Sequence, residues 1–440
     1  MTHEWLKMTA CDLGRGIENG TISPIALTQT YLDAISEHPM ADRIYARTTP
    51  NRAIAEANAA EQRAKSGNRL SLLDGVPISW KDLFDTKGTE TEAGSRLLAG
   101  RTPDLDAVVL QKAMNAGLVC LGKTHMSELA FSGLGLNPMT QTTPCVNDLD
   151  AVSGGSSSGA AGSVAFDLAP AGIGSDTGGS VRIPAAWNDL VGLKTTSGDI
   201  SLDGVVALCP KFDTVGPLCR SVEDAAYLYG VLKGQTPNPI TPSKAPRLMV
   251  LTSAALDEMD PAPLAAFNTA CDAIRADGIE LVEHPFQDIG DMLGLAAVIY
   301  TAEAYAQWGE VLEVDGHKMF PEILDRFMAG KKYSSDEYNS AWAQLDLIRK
   351  NWAEATAEFD AVIIPSSPIM PPNLEKLMAD SDYYRRANLL ALRNTRIGNM
   401  LGLCSISLPT PTPSCGIMIM GAPKTELNLL NIAAKIEQIL

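Results

Sequence analysis

A serine hydroxyl placed directly after a pair of glycines is a combination with chemical meaning. Ser180 closes the run GSDTGGS, residues 174–180, which follows the apolar segment SVAFDLAPAGI and leads into a helical pattern. Gly178 and Gly179 permit close approach and unusual backbone dihedrals, which leaves amide N–H groups free just ahead of a helix N-terminus. A hydroxyl beside such donors has what acyl transfer needs: an attacking oxygen, and amides that hold the oxyanion. It also needs a base. Two residues compete for that role: His125 in GKTHMSELAF, the only histidine near this half of the chain, and Lys81 in LLDGVPISWKDLFDTKG. A lone histidine is more often structural, and a lysine is by default on the surface. A buried lysine, however, loses its proton readily, because desolvation disfavours its charge. The residue types alone leave this choice open.

Upstream lies a second glycine- and serine-rich run, SGGSSSGAAG at 153–162. Such composition usually marks a flexible linker. A linker is not followed so closely by a buried strand, and backbone geometry is the better reason for these glycines. Residues 117–124, GLVCLGKT, satisfy the phosphate-loop pattern G-x-x-x-x-G-K-[ST]. The context is wrong for it: a helical pattern comes first and LVCL reads as an apolar strand, so Lys123 is expected at a strand end rather than on a nucleotide.

Taken together, GVPISWKD, SGGSSSGAAG and GSDTGGSVRIPA resemble, in order, the three linked motifs of the amidase signature family. The resemblance extends over essentially the whole chain, to RNTRIGNMLGLCSISLP and the closing strand and helix. It implies a single α/β/α domain around a large, twisted, mixed sheet. It implies a Ser-cisSer-Lys triad with Ser180 as nucleophile, Ser156 as the bridging serine after a cis Gly155–Ser156 peptide, and Lys81 as base. It further implies an oxyanion hole built from the amides of Thr177, Gly178, Gly179 and Ser180. Ser157 is expected to hydrogen-bond within this network, and Asp176 and Arg182 to hold the loop. Three positions depart from the family pattern: Ser158 stands for a glycine, Cys404 for a proline and Met418 for a common glutamine. The last two are expected near the substrate pocket.

The elements that must position these residues follow from periodicity. Short apolar runs alternate with longer amphipathic ones, which signals an α/β fold with a partly parallel sheet. Residues 1–66 read as N-terminal helices, with Ser23-Pro24 opening one of them and SGN at 66–68 ending another. Residues 67–235 form the expected catalytic core, and 286–360 a helical insertion, with Gly330 between two helices, that lines the substrate pocket. Strands are expected at AVIIP (361–365), SISLP (405–409) and GIMIMG (416–421). The proline-rich 236–246 reads as a loop inside one domain spanning 1–440.

Composition narrows the function. The 440 residues carry a formal charge of −17, with 45% hydrophobic and 20% charged residues. That is globular composition, and the acidic balance argues against nucleic acid or an anionic membrane as partner. The N-terminus lacks the apolar region of a secretory signal, and eight scattered cysteines without C-x-x-C read as reduced thiols. A cytoplasmic monomer or homodimer is expected, with no cofactor and no metal. The expected activity is hydrolysis of an amide, or of a related carbamate or ester, through an acyl-enzyme. The alternative is the A subunit of a tRNA-dependent amidotransferase, although FMAGKKYSSDEYNSAWAQ at 327–344 lacks the Y-D-A-Y-Y-like segment expected there.

Overall fold

The computed structural model describes residues 2–237 and 239–440. Met1 and Asn238, the latter within the proline-rich 236–246 stretch, lie outside the described residues. Thirteen strands are present among the described residues: β1 (Tyr45–Thr48), β2 (Pro77–Lys81), β3 (Val119–Thr124), β4 (Pro144–Cys145), β5 (Asp148–Val152), β6 (Ala171–Ser175), β7 (Val191–Lys194), β8 (Val215–Cys219), β9 (Arg247–Leu251), β10 (Glu280–His284), β11 (Ala361–Pro365), β12 (Cys404–Pro409) and β13 (Gly416–Gly421). Eleven of them form one mixed sheet in the order β1-β3-β2-β6-β8-β7-β12-β13-β11-β9-β10, and β4 and β5 pair separately. The class is α/β, with helices packed on a large mixed sheet.

Both kinds of strand pairing occur. β2 runs parallel to β3 and to β6, with Trp80 opposite Ile173, while β6 is antiparallel to β8. β2, β3 and β6 are buried along their whole length, as continuous apolar strands require when both faces are covered. Adjacent parallel strands deliver their C-terminal ends to the same edge of a sheet, which is where α/β folds place their ligands. Lys81 and Ser175 are those ends.

Backbone proximity explains the glycine- and serine-rich segment at 153–162. The helix Ser158–Ala165 carries only small side chains besides Val164 and lies directly on β6. A Cβ on Gly172 of β6 would sit 2.7 Å from Ala160 O, and one on Gly159 would sit 2.4 Å from Ile44 O. A side chain at Gly172 would push the helix off β6, and one at Gly159 would push it off the backbone of Ile44 and His125.

The helices expected at the N-terminus are present. Ser23 caps Pro24–Glu37 by accepting from the Ala26 amide, and Pro50–Lys65 ends at Ser66. In the 286–360 stretch lie Ile289–Asp315, Pro321–Met328 and Ser335–Ala355, with a short 3-10 turn around Gly330 between the last two. No described helix is long and apolar enough to cross a membrane.

Candidate active site

Lys81 ends β2 with no exposed surface. Its Nζ donates to Ser156 Oγ at 2.7 Å and to Ser175 Oγ at 2.8 Å, so its hydrogen bonds go to hydroxyls rather than carboxylates. Burial pushes the amine down to about 7, against an opposing pull from the Asp176 and Asp213 carboxylates. Near neutral pH a large fraction of this lysine is therefore an uncharged amine able to accept a proton.

Ser156 follows a cis Gly155–Ser156 peptide bond and is fully buried. A Cβ on Gly155 would lie 2.6 Å from Gly135 N, so glycine is what lets these two backbone segments touch. The next residue ties the two motifs together. Ser157 Oγ donates to Ser175 O at 3.2 Å and accepts from Ser175 N at 3.3 Å, and Ser157 N donates to Ser180 O at 3.2 Å.

Ser180 is 3% exposed, on a loop that Asp176 organises. The Asp176 carboxylate accepts from the amides of Gly179 (2.8 Å) and Val181 (3.1 Å), from the Arg182 guanidinium, and from Asn399 Nδ2 at 2.9 Å. Burial alone would raise its pKa, but the Arg182 charge and these donors more than reverse that and hold the carboxyl well below the usual range. Gly179 has φ +135°, and a Cβ there would meet Thr395 Oγ1 at 2.0 Å. Only glycine satisfies both conditions.

Two expectations need correction. The Gly179 amide is already engaged by Asp176, so the donors without an acceptor among the described residues are the amides of Thr177, Gly178 and Ser180. The three side chains expected as a triad are also joined only in part. Lys81 bonds Ser156, whereas Ser180 Oγ has no hydrogen-bond partner among the described residues and lines a cavity.

His125 is not brought into this arrangement. Its carbonyl accepts from Gly159 N and Ser158 Oγ, and burial lowers its imidazole pKa to about 4. Lys123 lies inside β3, donating to Phe84 O at 2.7 Å and pairing with Asp82 at 3.3 Å. The phosphate-loop pattern is thus absorbed by the sheet. Ser158 begins a helix, in backbone that tolerates its side chain. Cys404 and Met418 do not line the cavity beside Ser180. Cys404 Sγ donates to Ala422 O, and Met418 Sδ accepts from Arg182 Nη1. They are packing positions, because β12 and β13 turn them toward the sheet's own supports.

Ser180 opens onto a slit of about 20 Å³ lined also by Thr177, Gly178, Phe131, Leu208 and Leu392. Beside it lies a cavity of about 370 Å³ walled by Leu293, Ala296, Ala297, Tyr384 and Asn388. Tyr300, Arg326 and Arg396 line both. A larger cavity of about 820 Å³ lies elsewhere, around Trp342, Arg349 and Trp352, and includes none of the motif residues. Among the described residues no three His, Cys, Asp or Glu side chains cluster as metal ligands.

Sequence reasoning missed three of these residues. Ser175, the second acceptor for Lys81, stands in GSDTGGS but carries no mark that separates it from a loop serine. Arg326 and Arg396 lie on separate helices, and nothing in their spacing shows that they meet.

A model of the amidase family matches residues 26–430, and the chain belongs to that family. Its fold and its motifs are those of the amidase signature group of C–N hydrolases. It is 33% identical to 2-amino-5-chloromuconic acid deaminase from Comamonas testosteroni, over 88% of this chain and 87% of that protein. It is 29% identical to the A subunit of glutamyl-tRNA(Gln) amidotransferase from Chloroflexus aggregans, over 96% of this chain and 94% of that protein. Among solved structures, a crystal structure titled as an amidase aligns with a TM-score of 0.88 at 27% identity, covering 98% of this chain and all of that one (100%).

Proposed function

We propose that this protein hydrolyses an amide or a closely related C–N bond through an acyl-enzyme on Ser180. The observation that carries this reading is the fully buried Lys81 amine, lowered to about 7 and hydrogen-bonded to the Ser156 hydroxyl.

The chemistry follows from the geometry. Ser180 Oγ adds to the carbonyl carbon; its proton passes to Ser156 Oγ as the Ser156 proton passes to Lys81 Nζ. The carbonyl oxygen takes the negative charge, held by the amides of Thr177, Gly178 and Ser180. When the C–N bond breaks, Ser156 gives its proton to the departing nitrogen and recovers one from the Lys81 ammonium. Water then adds to the acyl-enzyme by the same relay in reverse, releasing the carboxylic acid and restoring the Ser180 hydroxyl. Asp176 and Arg182 fix the loop and Ser175 fixes the lysine. Carbamates and esters present the same carbonyl, so urethane cleavage fits the same machinery.

The test is labelling by a fluorophosphonate, read as an intact-mass shift that maps to Ser180, alongside release of amine from a panel of anilides, aliphatic amides and aryl carbamates. Labelling at Ser180 with amine release is expected. A folded protein that neither labels nor releases amine overturns the reading.

A second reading is supported by the 29% identity to an amidotransferase A subunit along nearly the whole chain. It requires that ammonia be released from glutamine only with a partner protein present. Turnover of simple amides by the isolated chain excludes it.

A further inference from the structure

The junction between the slit and the larger cavity beside Ser180 is unusual in its charge. Arg396 is only 8% exposed, donates no hydrogen bond to any described residue, and has an Nε sealed from solvent without an acceptor. Arg326 spends one N–H on Phe131 O at 2.6 Å and stacks its guanidinium over the Phe131 ring at 4.2 Å. Among the described residues no carboxylate pairs with either. The two acidic residues at the outer wall are already taken, because Arg385 pairs with Glu322 at 3.2 Å and with Asp325 at 3.3 Å.

Two like charges sharing a desolvated cavity are costly, and each depends on a counter-charge to offset the loss of water. Burial lowers both arginines, and together with the neighbouring charge of Arg396 it brings Arg326 down to about 10. For packing alone, uncharged side chains of this size would serve better. A guanidinium presents a planar fork of N–H donors whose natural match is the planar, two-oxygen carboxylate. The rest of the wall, Leu293, Ala296, Ala297 and Leu392, offers apolar contact for a carbon chain between that carboxylate and a carbonyl at Ser180.

We propose that the substrate is an amide that also carries a carboxylate, held by Arg326 and Arg396 while its carbonyl faces Ser180. This rests on the hydrolase reading and narrows it: neutral amides are turned over more slowly than carboxylate-bearing amides of the same skeleton. The bridging Tyr300, whose hydroxyl donates to Thr177 O at 2.9 Å, couples the wall of the anion site to the oxyanion loop.

The test uses matched ligands on the whole protein. Glutaramate and glutaramide share a skeleton and differ in a carboxylate against a second amide; succinamate with succinamide and adipamate with adipamide vary the length. N-acetyl-β-alanine with its neutral N-methylamide moves the carboxylate to the leaving-group side. Each ligand is scored by its own hydrolysis and by how far it slows fluorophosphonate labelling of Ser180. For at least one pair the carboxylate member is expected to be favoured on the order of tenfold to a hundredfold. That ratio should collapse in Arg326→Gln and Arg396→Gln and partly survive in Arg396→Lys; being taken within each variant, it is independent of that variant's own labelling rate.

Equal treatment of both members of every pair by the wild-type protein, with Ser180 labelling intact, overturns the carboxylate assignment and leaves the hydrolase reading standing. A preference that persists in both glutamine variants also overturns it. Absence of Ser180 labelling overturns the hydrolase reading and this one with it.

Discussion

Asp176 Oδ1 and Arg182 Nη2 lie 2.9 Å apart, and neither side chain has any exposed surface. The pair sits beneath the loop that carries Ser180, and Arg182 reaches on to Thr395 O at 2.8 Å and Asn399 Oδ1 at 2.5 Å. Removing one partner of a buried pair strands the other charge. Asp176→Asn is therefore expected to cost about 3–5 kcal/mol of stability and to loosen the oxyanion amides. A thermal or urea melt of the variant checks this; an unchanged melt would show that the loop is held by something else.

Side-chain replacement tests the proposed relay. Ser180→Ala and Lys81→Ala should abolish amide turnover. Ser156→Ala should lower kcat by roughly 10²–10⁴, the usual range for loss of proton transfer. Near-normal turnover after Lys81→Ala would remove lysine as the base.

The proposed base also fixes the direction of the pH profile. Burial lowers Lys81 to about 7, so below that pH it is increasingly protonated and cannot accept from Ser156. The logarithm of kcat/KM should rise with unit slope on the acid side and level off above about 7. A profile flat from pH 5 to 9 would contradict the assignment.

Glu128 offers a stability test outside the triad. It is 1% exposed, accepts from Ser95 Oγ and the Phe320 amide, and burial raises its carboxyl from 4.5 to about 7. A folded pKa above the unfolded one means that the folded state binds the proton more tightly. The contribution is present below pH 4.5 and is lost as pH rises through 7. Glu128→Gln should accordingly gain melting temperature relative to wild type as pH rises from 5 to 8. A difference that stays constant across that window would refute the linkage.

What the sequence disclosed and what it hid follow from the range of each interaction. AVIIP, SISLP and GIMIMG appear as β11, β12 and β13 because short β-branched runs bounded by turn residues record their conformation locally. The sheet order is not local: β11 is parallel to β9 but antiparallel to β13, and no residue of AVIIP encodes that choice. The same division holds at the site. Ser156 and Ser180 stand in runs dense in glycine, whose composition marks backbone held in conformations and close approaches that other residues resist, and Lys81 stands in the motif GVPISWKD. Ser175 becomes a partner of Lys81 only through the parallel pairing of β2 and β6. Arg326 and Arg396 meet only once two helices have docked, and each reads in isolation as a solvated surface charge.

The groups proposed to break the bond lie between residues 81 and 180, on β2, β6 and the loops around the helix Ser158–Ala165. Most of the wall that faces a bound molecule comes later, from Leu293 to Arg396. On that reading, reactivity and choice of molecule are written in separate stretches of the gene. An exchange within 286–360 that spares Tyr300, whose hydroxyl holds Thr177 O, would reshape that wall while leaving the proposed hydroxyl, relay and amide donors in place, so such a scaffold could acquire a new diet without relearning its reaction.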